Sequence, residues 1–259
     1  MYRFLLTPRW VALHVVVLLV IPAFVLLGRW QFGRFEEKSA SSDLVTANLS
    51  ADPVPLDFAR PVTDRDRYRA VTVSGSYDAA HELLVRRRPQ NGQTGFYVLT
   101  PLVVGDGRAV LVNRGWVKAG ATADTPPEVP PAPTGPVQVT GRLRLSETEE
   151  STGIRDRQGL PQGQILLIDV PSLQKRLPYR LFGGYVELTA QQPPSSPAPE
   201  PVPPPDVSSG GGLNFAYGVQ WWLFIAVAIG GWLMLIRREV ADRRAAAASQ
   251  DPSPVGSGD

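Results

Sequence analysis

Two uncharged apolar runs lie near the ends of the chain, and between them hydrophobic and polar positions alternate in short stretches. The first run extends from Trp10 to Gly28, with Arg9 and Arg29 at its edges. At the helical rise it reaches roughly 28 Å, about one hydrocarbon thickness. Within lipid a single span must satisfy its own backbone groups, which only a helix does. Pro22 is a point at which such a helix can kink. A cleaved signal peptide would have a shorter apolar core and a small-x-small site. Gly28-Arg29-Trp30-Gln31 follows instead, which predicts a retained anchor.

The second run, Phe215 to Ile236, is also uncharged. Tyr217, Trp221 and Trp222 stand at one end, and Arg237, Arg238, Arg243 and Arg244 follow the other. Aromatic residues favour the membrane interface and short basic flanks stay in the cytoplasm. Arg3 and Arg9 before the first run agree, so both termini are predicted inside the cell membrane. The division expected is a cytoplasmic N-terminus (1–9), a first span (10–28), an extracytoplasmic domain (29–190), a Pro/Gly-rich linker (191–213), a second span (214–236) and a cytoplasmic tail (237–259), disordered from 245.

In the middle region the period becomes two. Arg69 to Ser74, Leu83 to Val85, Phe96 to Val104, Ala109 to Val117, Val137 to Leu145, Ile165 to Ile168 and Tyr185 to Leu188 read as strands. The Gly105-Asp106-Gly107 turn makes a hairpin of the third and fourth. Residues 35–50 carry a weak helical signal, and Asp169-Val170-Pro171 looks like a capped helix start. The pattern predicts an α+β membrane protein. Its two transmembrane helices flank one extracytoplasmic, mainly antiparallel β domain, either a sheet or a partly closed barrel. Residues 126–136 read as a surface loop. Residues 193–205 contain eight prolines and read as a semi-rigid spacer or a proline-motif ligand, with a flexible joint at 208–212.

Composition then narrows the chemistry. The 259 residues are 43% hydrophobic with a net charge of +2, which does not point to a nucleic-acid partner. There is no cysteine, so disulfides, thiolate sites and cysteine nucleophiles are excluded. With two histidines, a protein-only metal site is not expected. No phosphate-cradling loop, H-E-x-x-H or G-x-S-x-G occurs, and no enzyme signature is seen. An unrecognised membrane-surface hydrolase would need a clustered acid, base or nucleophile. His81-Glu82 reads as a surface strand start or an acid–base pair, and Asp64-Arg65-Asp66 as a charged turn or a cation site. Arg86-Arg87-Arg88 reads as a solvated hairpin edge or a grip for carboxylates and phosphates. Arg114 and Trp116, two apart on a strand, share a face where a guanidinium can lie over the indole. His14 lies inside the first span. It reads either as hydrogen-bonded to the neighbouring helix or as an axial ligand for haem iron.

Five segments, taken in order, resemble one known family. Gly28-Arg29-Trp30-Gln31-Phe32-Gly33-Arg34 looks like its L-G-x-W-Q-x-x-R signature. Tyr68 to Asp78 looks like its arginine-strand-glycine motif, with Arg69 and Gly75. Gly95 to Leu102, including Pro101, and Val110 to Val117, including Arg114, Gly115 and Trp116, match two more. Tyr217-Gly218-Val219-Gln220-Trp221-Trp222 opens the second span as the family does. The chain thus resembles the surfeit locus protein 1 family, the cytochrome c oxidase assembly factors. The resemblance implies a non-enzymatic role at the step where haem a reaches the catalytic subunit of a haem-copper oxidase. It implies haem a held transiently, and as partners the oxidase catalytic subunit, the enzymes of haem a synthesis and the bilayer. In bacterial members that bind haem a, a histidine three residues before the tyrosine is the implied ligand, and here that position is Asn214. Tyr217 and Trp221 would line a haem surface, with His14 the remaining imidazole. Trp30, Gln31, Arg34, Arg69, Gly75, Gly95, Pro101, Arg114, Gly115 and Trp116 are the implied partner-binding positions. The alternative is a membrane-anchored protein-binding module with no haem contact.

Overall fold

In a computed structural model, residues 3–120, 127–157, 159–207 and 211–248 are described. Residues 208–210 of the joint expected at 208–212, Pro126 of the 126–136 loop and the tail from 249 lie outside them, whereas Gly212, expected in the joint, and 245–248, expected to be disordered, belong to the helix Gly212–Ala248. The chain forms two compact units, Met1–Ser42 with Ser208–Asp259, and Asp43–Val207.

The first unit holds most of helix α1 (Pro8–Ser50) and all of helix α4 (Gly212–Ala248). Both are long and apolar enough to cross a membrane. Their apolar side chains point outward, Leu18, Leu26, Val227 and Met234 among them. They lie side by side and run antiparallel. Phe24 packs on Trp221 and Phe224, and Phe32 on Phe215, with ring centroids 5.2, 5.8 and 5.9 Å apart. Helix α1 passes through Pro22 and runs far beyond Gly28. After the apolar run, Glu36-Glu37-Lys38 and Ala40 are good helix formers, and Arg34 pairs with Glu37 one turn on at 2.9 Å. Pro53 prevents further continuation.

The second unit is a barrel. Its strands are β1 (Val54–Pro55), β2 (Ala70–Tyr77), β3 (Leu83–Gln90), β4 (Gln93–Gly105), β5 (Arg108–Lys118), β6 (Pro136–Leu145), β7 (Gln164–Ile165) and β8 (Arg180–Gln192). Short helices α2 (Glu149–Thr152) and α3 (Val170–Gln174) lie between β6 and β8. The order β2-β6-β8-β5-β4 closes on itself because Ser76 and Tyr77 of β2 pair with Val103 and Leu102 of β4. Strand β3 extends β4, β7 extends β3, and β1 extends β2. Most pairings are antiparallel, as the pattern predicts, but β5 and β8 run parallel, as do the short pairs β1–β2 and β3–β7. A period of two shows which face a residue takes and says nothing of strand direction.

Closure depends on Gly75. A Cβ there would stand 2.4 Å from the Val103 carbonyl oxygen, so only glycine lets β2 bend onto β4. Pro101 sits where β4 leaves β3, whose pairing ends at Leu99, and meets β2 at Leu102. Its carbonyl accepts from the Asp78 N–H at 2.9 Å. The N–H and C=O of a strand residue point to the same side, so the donor that proline lacks faces this gap.

All five ring strands contribute to one buried cluster, including Val73, Leu102, Val112, Val139 and Val186, which is the barrel interior. A second cluster covers the outer face of β4, β5 and β8 with β3, Ile168 and α3, and includes Leu99, Leu111, Leu173 and Tyr185. Strand β5 thus buries both faces, which explains its unbroken apolar run.

Candidate functional site

Alternation on β6 and β8 puts Leu143 and Val186 inside the barrel, so Arg142, Arg144, Tyr185 and Glu187 emerge on the outer wall. There they are covered. Glu187, 1% exposed, stands 2.6 Å from Arg142 and 2.7 Å from Arg144. Arg144 also lies over the Tyr68 ring at 4.5 Å. Nearby, Glu147 binds Arg88 at 2.6 Å and accepts the Ile168 N–H at 2.9 Å. Arg88 also donates to the Leu166 carbonyl. Burial pushes the phenols of Tyr185 and Tyr97 above their usual range. Buried charges persist only when paired, and here each carboxylate faces a guanidinium, although Glu187 Oε1, Arg88 Nε and Arg142 Nε make no hydrogen bond among the described residues. The pairs clamp the β6–β8 connection onto the wall.

The Arg86-Arg87-Arg88 cluster therefore faces mostly inward. A bulge between Val85 and Arg88 puts Arg87 at φ 58 and turns its neighbours in. Arg86 donates to Gln164 at 2.6 Å, Arg88 is taken by Glu147, and only Arg87 is exposed.

Arg114 is also buried, its side chain 1% exposed. It pairs with Glu82 at 2.9 Å and donates to the Pro130 and Pro131 carbonyls at 2.9 and 2.8 Å. Glu82 also accepts from Thr100 at 2.8 Å. The expected stack on Trp116 is absent, because a bulge between the Asn113 and Gly115 pairings offsets the alternation. The Arg114 guanidinium lies over Tyr77 instead, at 5.7 Å. The Trp116 ring covers Gly95, and its Nε1–H donates to the Arg88 carbonyl at 2.7 Å. Gly115, at φ 138, brings the chain against Pro199 and Glu200. Trp116 and Glu200 exchange backbone bonds of 2.7 and 2.8 Å. Val202 is buried, and its carbonyl accepts from Arg142 at 2.7 Å. The proline-rich segment is thus laid on the barrel at residues 199–202 and is not a free spacer there. Arg69 precedes β2, and its carbonyl accepts from the Leu143 N–H at 2.8 Å.

The remaining candidates separate. His81 and Glu82 diverge, Glu82 to Arg114 and His81 Nδ1 to Asp78 at 2.6 Å. The Tyr179 hydroxyl also donates to Asp78. Asp66 is filled by the Thr63 N–H and hydroxyl and by Arg60, at 2.9, 2.7 and 2.7 Å, which makes Asp64–Asp66 a capped turn. Among the described residues no group of three or more His, Asp or Glu is placed to hold a metal ion.

The Tyr179 bond to Asp78 raises the phenol from 10.0 to about 12, and chiefly that bond holds the Asp78 carboxyl below its ordinary value. The Tyr179 contribution to stability is present below pH 10 and lost as pH rises through about 12. The Asp78 contribution is present above 3.8 and lost as pH falls through its lowered value. In Asp78→Asn, one further phenol should ionise near 10, read by ultraviolet difference titration. An unchanged titration would show that the bond does not form.

In the helix unit, Trp30 is 60% and Tyr217 50% exposed, Arg34 is exposed, and Gln31, Asn214 and Trp221 are half-buried. His14 Nδ1 accepts the Trp232 Nε1–H at 3.0 Å. In a neutral ring the other nitrogen then carries the proton and has no lone pair for iron. Asn214 offers an amide, a poor iron ligand. These residues do not fit direct haem ligation.

Sequence reasoning missed Arg142, Arg144, Glu147 and Glu187. The signal was present in Val139-Thr140-Gly141-Arg142-Leu143-Arg144-Leu145 and Tyr185-Val186-Glu187-Leu188. In both, the charges fall on one face of the strand, beside Thr140 and Tyr185, and opposite charges can pair across strands.

The model of the SURF1 family matches residues 18–226, which takes in the barrel, most of α1 and the first part of α4. An uncharacterised SURF1-like protein of Mycobacterium tuberculosis is 32% identical over 257 residues, covering 96% of this chain and 91% of that protein. Surfeit locus protein 1 of Takifugu rubripes is 33% identical over 151 residues, covering 51% of this chain and 62% of its own. Cytochrome oxidase assembly protein SHY1 of Saccharomyces cerevisiae is 32% identical over 94 residues, covering 35% of this chain and 24% of its own. The chain belongs to the SURF1 family.

Proposed function

We propose that this protein is an assembly factor for a haem-copper cytochrome c oxidase. It sits in the cell membrane with both termini cytoplasmic and the barrel outside, and it catalyses no reaction. It acts where haem a enters the catalytic subunit, and it does so by holding protein partners and not by binding iron. The family match across helices and barrel, with a yeast relative named as a cytochrome oxidase assembly protein, carries the oxidase reading. The His14–Trp232 bond and Asn214 support the protein-contact version. The partners of this reading are the catalytic subunit and the haem a synthesis enzymes that supply it.

Deleting the gene should lower the haem a band in reduced-minus-oxidised membrane spectra together with oxidase activity. Unchanged spectra and activity would overturn the oxidase role. Complementation with His14→Ala should restore the haem a band. If the purified protein were coloured and lost its pigment in His14→Ala, the protein-contact version would fall while the oxidase role stood.

A further inference from the structure

At the end of the helix pair where α1 begins and α4 finishes, an open cleft of about 490 Å³ lies between the two strands of chain. Arg3, Phe4, Val240, Arg243, Arg244 and Ala247 line it. The 3-10 turn Arg3–Leu6 precedes α1 and tucks Phe4 in, 3% exposed, against Trp10 at 5.2 Å. The Arg243 guanidinium lies over the Phe4 ring at 4.8 Å, and its Nε is bound to Glu239 at 2.7 Å. Arg243 is therefore fixed as one wall. The other carboxylate on this part of α4, Asp242, faces Arg238 at 4.0 Å. Arg3 and Arg244 are exposed and make no ion pair among the described residues. The cleft is a preformed apolar floor carrying two cations that are unpaired among the described residues.

Its depth is set by the sequence. The uncharged run of α4 ends at Ile236, and Arg243 lies seven residues on, about 10 Å along the axis. The uncharged run of α1 starts at Trp10, just after Arg9. The polar interface extends roughly 5–8 Å beyond the hydrocarbon core, so flexible arginine side chains here reach headgroup phosphates. Basic pockets between membrane helices on the cytoplasmic side suit anionic headgroups.

We propose that this cleft binds the phosphate headgroup of an anionic phospholipid. Arg3 and Arg244 contact the phosphate, Arg243 is the fixed wall, and the acyl chains run along the apolar surfaces of α1 and α4. The inference rests on the membrane-spanning reading of the two helices and is independent of the oxidase role.

The test uses the full chain reconstituted in nanodiscs of phosphatidylcholine with a graded share of phosphatidylglycerol. Retained lipid is read by native mass spectrometry after gentle detergent release. The wild type should keep phosphatidylglycerol in preference to phosphatidylcholine. The double variant Arg3→Gln/Arg244→Gln should lose retention about thirtyfold, at the usual contribution of each surface arginine. Arg3→Lys/Arg244→Lys should recover most of it. Both variants alter exposed side chains, and circular dichroism checks the helices. Equal retention of the two lipids, or an unchanged double variant, would overturn the proposal. So would displacement of the lipid by orthophosphate at equal concentration, which would make the ligand a free phosphate. Failure of the chain to enter nanodiscs at all would overturn the spanning reading and the site with it.

Discussion

Glu187→Ala should destabilise the barrel by about 3–5 kcal/mol, because it takes the ion-pair carboxylate from two largely buried guanidinium groups. Glu187 is 1% exposed, and Arg142 and Arg144 both lie within 2.7 Å of its carboxylate. Arg142 retains only the Val202 carbonyl, which cannot neutralise it. For a domain of this size the melting temperature should fall by about 6–20 °C, read by circular dichroism of the purified protein. Glu187→Gln should be milder, since the amide keeps the volume and one acceptor, but still costly. Replacing all three groups together, Glu187→Leu with Arg142→Met and Arg144→Met, should recover most of the loss, because no member of this trio is then left as an unpaired buried charge. A loss below about 1 kcal/mol in Glu187→Ala would mean that water reaches the network.

Gly115→Ala should cost about 2–5 kcal/mol, from a strained backbone together with a steric overlap. At φ 138 a side chain is disfavoured whatever the space around it, and the new Cβ would stand 2.6 Å from the Glu200 carbonyl oxygen. That carbonyl receives the Trp116 N–H at 2.7 Å, so relief of the overlap lifts the proline-rich segment off the barrel. Urea unfolding should report the loss, and limited proteolysis should cut within residues 193–207 much faster than in the wild type. Glu200→Ala serves as the control. It removes only the exposed side-chain bond to Asn91 and keeps the backbone pair, so its effect should stay within about 0.5 kcal/mol. Equal protease resistance in Gly115→Ala and the wild type would show that the segment is held by other contacts.

The two variants probe one construction. A single bulge in β5 places Arg114 towards Glu82, turns Trp116 onto Gly95 and opens the backbone to Glu200. A second bulge in β3 sends Arg86 and Arg88 inward. Of the arginines that read as a grip for external anions, Arg86 and Arg88 are committed inside the domain and Arg87 stays exposed. In the cleft of the helix pair, Arg3 and Arg244 make no ion pair among the described residues.

Several features were legible without coordinates. The uncharged runs from Trp10 and from Phe215 identified two membrane-length helices, because the cost of charge in lipid writes itself into composition. Alternation from Arg69 to Ser74 and from Val137 to Leu145 identified the strands observed at Ala70–Tyr77 and Pro136–Leu145, because one face of each is buried. The Gly105-Asp106-Gly107 turn identified the β4–β5 hairpin, a short-range event. What tertiary structure alone decided is long-range. The parallel β5–β8 pair, the closure of β2 onto β4 and the docking of residues 199–202 join segments far apart in the chain. Local periodicity carries no record of such a partner. The same holds for charge. Arginine is by residue type a surface residue, and only the positions of Glu147, Glu82 and Glu187 across the fold make the burial of Arg88, Arg114, Arg142 and Arg144 affordable.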